Sequence, residues 1–115
     1  MQKILIVEDL ELQNRIYELT FQKFFNVLFA TNHEEAVLLF NNNPDIKLIV
    51  MDGCLGGDTC NTAPLVQEFR KTFSGPVIAA PSSISHQIFL VQAGCDYQSE
   101  KGEVGELVKQ ILQRK

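Results

Sequence analysis

The sequence predicts an α/β fold: a doubly wound, five-stranded parallel sheet in the order 2-1-3-4-5, flanked by five helices. Three observations predict it. Short apolar runs alternate with helix-like amphipathic segments five times in 115 residues, the pattern of a mainly parallel sheet covered on both faces. The runs KILIV and IKLIVM contain almost no polar positions, as central strands shielded on both sides require. No repeat, low-complexity tract or linker interrupts the alternation, so residues 1–115 read as one domain, large enough to bury a core.

KILIV (3–7) is the first strand, and a helical segment follows with Leu12, Ile16, Leu19 and Phe24 as its apolar positions. NVLFA (26–30) is the second strand. Asn32 with Glu35 three residues on has the form of a capping box, opening a helix with Ala36, Leu39 and Phe40 on one side. IKLIVM (46–51) is the third strand. Thr62 and Pro64 suit a helix start, since proline is tolerated in the first turn; that helix carries Leu65, Val66, Phe69 and Phe73. PVIAA (76–80) is the fourth strand. Ser82 or Ser83 can cap a helix with Ile84, Ile88 and Val91, ended by Gly94. The polar segment 95–100 suits an edge strand. In the last helix Val104, Leu107, Val108 and Ile111 follow the i, i+3, i+4, i+7 spacing of one buried face. The strand order is the flavodoxin-like one, in which ligands gather beyond the strands' carboxyl ends where chain order reverses.

Composition narrows the function. A net charge of −4, a pI near 5.1 and the lack of any basic run argue against nucleic acid or an anionic membrane surface as partner. No stretch approaches the ~20 apolar residues of a membrane span, and MQKILIVED meets acids too early for a secretory signal. Cys54, Cys60 and Cys95 are odd in number and form no CxxC, and His33 and His86 lie at no zinc spacing. Reduced thiols in a cytoplasmic protein are expected.

The third strand poses a chemical question, because it runs straight into Asp52. A buried carboxylate is costly unless paired. The first strand, which the predicted order places next to it, ends in Glu8-Asp9. Like charges about 4 Å apart repel by roughly 4 kcal/mol at an effective dielectric near 20, so the convergence implies a compensating cation. Carboxylates and water suit Mg²⁺. Asp9 alone reads equally as the N-cap of the first helix. Lys101 closes the fifth strand at the same edge, where a lysine can pair with a carboxylate at rest and with a phosphoryl oxygen after reaction.

ILIVED with its acid pair, LIVMD ending on a lone acid, PVIAAPSS, AGCDY and Lys101 together resemble the receiver domain of two-component response regulators, from Lys3 to the last helix. The resemblance implies that Asp52 accepts a phosphoryl group from a phosphohistidine. It further implies that Glu8, Asp9 and Asp52 hold Mg²⁺ with the Cys54 backbone carbonyl, and that Lys101 contacts the phosphoryl group. Partners would be a sensor histidine kinase or histidine phosphotransfer protein, and a downstream protein bound through the surface of helix four, strand five and helix five. In this length there is no room for a DNA-binding or enzymatic output domain, so a stand-alone switch is expected, not an enzyme, assisting only its own phosphorylation and dephosphorylation.

Four positions depart from the family pattern. The hydroxyl residue after strand four falls on Pro81, with Ser82 next; Ser82 is expected to supply the hydroxyl. Gly102 replaces the proline after the lysine, so a looser turn is expected. Gly56, followed by Gly57, replaces a proline beyond the acceptor. Tyr97 stands four residues before Lys101 where the family has its switch aromatic three before, and Gln98 holds that place. A one-residue slip turns a strand side chain to the other face, leaving Tyr97 either restored by a bulge or simply packed.

These departures support an alternative: a pseudo-receiver, never phosphorylated, serving as a constitutive protein-interaction module. A Mg²⁺-dependent phosphohydrolase would want a second acid two residues after the nucleophile, where Cys54 stands. A flavin domain would want glycines and hydroxyls where EDLELQ is acidic. His33 and His86 read as surface or packing residues, Arg70-Lys71 as a positive spot too small to define a partner, and FQKFF (21–25) as core plus helix end.

Overall fold

The computed structural model describes residues 1–56 and 60–113. Five strands, β1 (Lys3–Val7), β2 (Asn26–Ala30), β3 (Ile46–Met51), β4 (Val77–Ala79) and β5 (Tyr97–Gln98), alternate with five helices. These are α1 (Glu11–Phe21), α2 (His33–Asn42), α3 (Ala63–Arg70), α4 (Ile84–Ala93) and α5 (Val104–Leu112), the last entered through a 3₁₀ turn, Lys101–Glu103. All strand neighbours are parallel and the order is β2-β1-β3-β4-β5, as the alternation predicts. β4 and β5 are shorter than their sequence runs, and their ladder joins only Ile78 to Tyr97 and Ala79 to Gln98.

Successive strand residues face opposite sides of a sheet, and here the two sides form two apolar layers. Ile4, Ile6, Leu48, Val50 and Ile78 pack against α1 and α5 through Tyr17, Phe21, Val104 and Val108. Leu5, Val7, Ile49, Met51 and Val77 pack against α2, α3 and α4 through Ala36, Leu65, Val66, Phe69 and Leu90. A register shift at Lys3/Ile4 in the β1–β3 ladder explains one exception to parity. Lys47 is left exposed there, and Ile46 joins the same layer as Ile49.

Two helices turn differently from the sequence expectation. In α1 the sheet-facing residues are Tyr17 and Phe21, one turn apart, whose rings fill the layer; Leu12, Ile16 and Leu19 lie exposed on the outer side, as does Phe24 beyond the helix end. The ammonium of Lys109 sits 4.5 Å from the Phe24 ring centroid. In α4 the buried residue is Leu90, while Ile84, Ile88, Phe89 and Val91 face out. A helix apolar all round offers no periodicity from which the inner side can be read. α5 follows its pattern, burying Val104 and Val108 with Leu107 and Ile111 packed beside them.

Helix ends follow local chemistry. Asn32 caps α2, its Oδ1 accepting from the Glu35 N–H at 2.8 Å; Glu35 reaches back one residue further than a capping box does, to the Thr31 N–H at 2.7 Å. Gly94 ends α4 with a φ of 132°, a value L side chains rarely adopt.

Arg70 is a structural clamp rather than part of a positive surface spot. Its Nε donates to the Gly94 carbonyl at 2.9 Å, and Nη1 donates to the carbonyls of Phe73 at 3.1 Å and Gly75 at 2.6 Å. Nη2 pairs with Asp96, whose Oδ2 also accepts from the Val77 N–H. One guanidinium thus joins the ends of α3 and α4 to the starts of β4 and β5. Arg70→Ala should cost about 2–4 kcal/mol in urea unfolding, because it strands partly buried acceptors and Asp96. Arg70→Lys should recover less than half, since a single ammonium cannot reproduce the fork.

Candidate acidic site at the carboxyl rim of the sheet

β1 and β3 are in register at their ends, Val7 opposite Met51, so the residues that follow emerge side by side. The Asp52 N–H donates to the Val7 carbonyl and the Glu8 N–H to the Ala30 carbonyl, each at 2.9 Å. Both acids are therefore held by backbone ladders and not by loose loop. One carboxylate oxygen from each of Glu8, Asp9 and Asp52 lies within 4.8 Å of the others. Glu8 is 1% and Asp52 4% exposed, while Asp9 is half-buried.

Lys101 reaches this cluster from the 3₁₀ turn after β5. Its ammonium contacts Glu8 Oε1 and stands 3.4 Å from Asp52 Oδ1. Gly102, in the same turn, has open space around it, so its missing side chain is not required by packing. Backbone donors add to the lysine. Asp52 Oδ1 accepts from the Gly53 N–H at 2.8 Å, and Glu8 Oε2 from the Leu10 N–H at 3.1 Å. Asp9 does not cap α1; Leu10 occupies the N-cap position, and Asp9 Oδ2 crosses to accept from the Gly56 N–H at 2.8 Å. Gly56 adopts a φ of 79°, the turn geometry in which glycine is favoured. Gly57 lies outside the described residues.

The β3–α3 loop is fixed at both ends. Thr62 Oγ1 donates to the Asp52 carbonyl at 2.6 Å, and the Asn61 N–H donates to the Gly53 carbonyl at 2.9 Å. The Asn61 amide brackets Leu55, accepting from its N–H and donating to its carbonyl, each at 2.9 Å. His33, exposed at the start of α2, meets the Asn61 carbonyl at 2.8 Å. Cys54 stands in this loop, its Sγ 3.2 Å from His86 Nδ1 on α4. Cys54, Cys60 and Cys95 are unbridged.

Glu8, Asp9, Asp52 and Lys101 are thus brought together, and Cys54 stands beside them. Ser82 is not brought in: it is exposed, with no hydrogen bond to the acids among the described residues. Pro81, buried, abuts the loop instead, 3.1 Å from where a Cβ on Gly53 would lie. Tyr97 packs half-buried on the layer shared with α1 and α5, without a bulge in its short ladder. The sequence reading missed two neighbours. His86 is one. Tyr17 is the other: 2% exposed, its hydroxyl has no hydrogen-bond partner among the described residues. Burial first, then the Glu8 and Asp52 charges, push its ionisation well above the ordinary tyrosine range. Neither leaves a sequence signal beyond Gly53, whose lack of a Cβ admits His86 and Pro81.

Chemically the cluster is an oxygen-only donor set with one cation against three acids. Such a set fits a hard divalent ion. Burial, opposed by the Lys101 ammonium and reinforced by the Asp52 charge, pushes Glu8 up to about 7 from 4.5.

The chain is similar to a curated protein, the transcriptional regulatory protein CpxR of Klebsiella pneumoniae subsp. pneumoniae (strain HS11286), at 33% identity over 117 residues. The match covers 96% of this chain and 48% of CpxR, so the chain spans about half the length of that relative. Among solved structures it is similar to a putative response regulator from Chloroflexus aurantiacus J-10-fl, at 26% identity and a TM-score of 0.79 over 98% of both chains. It is also similar to a response regulator from Burkholderia pseudomallei solved with a phosphorylated aspartic acid, a calcium ion and citrate. That likeness has 20% identity and a TM-score of 0.81, covering 99% of this chain and 68% of that one. No family model matches. Over almost its whole length the chain is thus similar to the receiver domains of two-component response regulators. Among the described residues no helix is long and apolar enough to cross a membrane.

The raised Glu8 value sets a pH dependence. Between about pH 4.5 and 7 the folded protein holds a proton that the unfolded chain has released. The stabilisation is therefore complete below 4.5 and is lost as pH rises through 7. In chelator-treated protein, the stability of wild type relative to Glu8→Gln should fall by about 2–3 kcal/mol between pH 4.5 and 8. Parallel urea-unfolding profiles for the two proteins would contradict this.

Proposed function

We propose that this chain is an active phospho-receiver in a phosphorelay, with residues 1–115 as one domain working in the cytoplasm. Asp52 takes a phosphoryl group from the phosphohistidine of a sensor kinase or a histidine phosphotransfer protein. The observation that carries this reading is the meeting of Asp52, Glu8, Asp9 and Lys101 at one rim of the sheet.

The geometry supports the following roles. Asp52 Oδ1 is held by the Gly53 N–H and Lys101, whereas its second oxygen has no hydrogen bond among the described residues. That oxygen attacks phosphorus; the P–N bond to the histidine breaks with its electron pair returning to nitrogen, and Asp52 becomes an acyl phosphate. Lys101 moves its hydrogen bonding from the carboxylates to a phosphoryl oxygen. Glu8 and Asp9, with Asp52 and the Cys54 carbonyl, hold Mg²⁺, which when bound offsets the charge on the transferred group. The burial of Glu8 and Asp52 and the backbone donors on all three acids support this assignment.

The output surface is the face of α4, β5 and α5. Four apolar side chains of α4 lie exposed, Ile84 at 78%. A protein partner bound to them would respond to charge added at the neighbouring loops. One observation favours the alternative, a constitutive interaction module: proline and an exposed serine stand where the family carries its hydroxyl.

Incubation with Mg²⁺ and acetyl phosphate or a phosphohistidine donor, followed by intact mass spectrometry, separates the two. A gain of one phosphoryl group is expected, absent in Asp52→Ala and slowed about 100-fold in Lys101→Ala. No gain with several donors would select the interaction module.

A further inference from the structure

We propose that His86 is a positioning residue of the acidic site, tying the first turn of α4 to the loop that carries Cys54. The inference rests on the reading above for the role of that loop, and it concerns a contact that neither the fold nor the resemblance supplies.

Three observations carry it. The Cys54 thiol and His86 Nδ1 lie 3.2 Å apart, within reach of an S–H···N hydrogen bond, although 32 positions separate them in sequence. The approach is close enough to demand glycine. A Cβ on Gly53 would stand 2.9 Å from His86 Cβ, 3.1 Å from its Nδ1 and 3.1 Å from Pro81 Cβ. Finally, no hydroxyl bridges β4 to the acceptor loop among the described residues. Pro81 offers neither N–H nor O–H, and Ser82 faces solvent. Cys54 and His86 do join the acceptor loop to α4 through their side chains.

Cys54 is two residues past Asp52, so a ring that restrains its side chain restrains the backbone carbonyl assigned to Mg²⁺. The coupling is reciprocal by linkage. An ion that orders the loop also orders the first turn of α4, and loss of the tie weakens ion binding and frees the helix start. The exposed apolar face of α4 begins in that same turn, with Ile84.

The test combines Mg²⁺ titration by calorimetry with amide hydrogen exchange across residues 84–93, on full-length protein. In wild type, Mg²⁺ should slow exchange in the first turn of α4. In His86→Ala the ion should bind about 3- to 10-fold more weakly, and the slowing should vanish. His86→Asn places an amide atom near the position of Nδ1 and should restore both; His86→Gln places it near Nε2 and should not. That contrast distinguishes the hydrogen bond from mere packing. Equal affinity and equal exchange response in wild type and His86→Ala would overturn the proposal. If wild type binds no Mg²⁺, the metal assignment above fails, and the tie is read in the ion-free proteins. Exchange in the first turn must then still be faster in His86→Ala than in wild type and His86→Asn. Identical ion-free exchange in all three would overturn it.

Discussion

Lys101 is the counter-charge that allows two sealed carboxylates to share one rim. Glu8 and Asp52 have almost no contact with water, and burying one uncompensated acid costs several kcal/mol, of order 20 in the idealised limit. A single ammonium against Glu8, Asp52 and the half-buried Asp9 leaves a deficit of positive charge. Backbone donors from Gly53, Leu10 and Gly56 reduce that deficit without cancelling it. The site is thus satisfied enough to fold and unsatisfied enough to attract a cation. Every element that matters follows from this: β1 and β3 must be neighbours, β5 must end at the same rim, and the loop after β3 must bring its amides to the acids.

The polar environment extends beneath the rim. Asn14 donates to the Glu8 carbonyl at 2.8 Å, while its own Oδ1 is buried without a partner among the described residues. Tyr17, one turn further along α1, is in the same position with its hydroxyl. A buried polar atom without a partner is a common place for an ordered water. The inner face of α1 is therefore not purely apolar where it passes the acids, although Tyr17 still packs with Phe21, its ring centroid 6.1 Å away.

Strand identity and order were legible because buried parallel strands are written as uninterrupted apolar runs. KILIV and IKLIVM leave little choice. The acid cluster was legible for the same reason, since a residue at the end of such a run is fixed in space by the sheet. Helix faces were less legible: α1 and α4 carry aliphatic residues on their outer sides, and counting Leu12, Ile16, Leu19 or Ile84, Ile88 and Val91 cannot say which side meets the sheet. Arg70 illustrates a further limit. Its partners, Gly94, Phe73, Gly75 and Asp96, come from separate segments, mostly as backbone carbonyls with no side-chain signature. His86 and Pro81 were obscured likewise, because their places depend on how α4 leaves β4. Counting along β4 selects the hydroxyl of Ser82, which the structure leaves exposed and without a hydrogen bond to the acids among the described residues.

The guanidinium of Arg70 makes the two ends of α4 unequal. It grips the carbonyl of Gly94, so the helix is moored at its exit, at the opposite end from the acids. Displacement of α4 as a rigid rod is then a swing about a fulcrum at Gly94, not a slide along the sheet. A swing turns a small rotation at the fulcrum into a larger displacement at Ile84, so the greasy tip travels furthest.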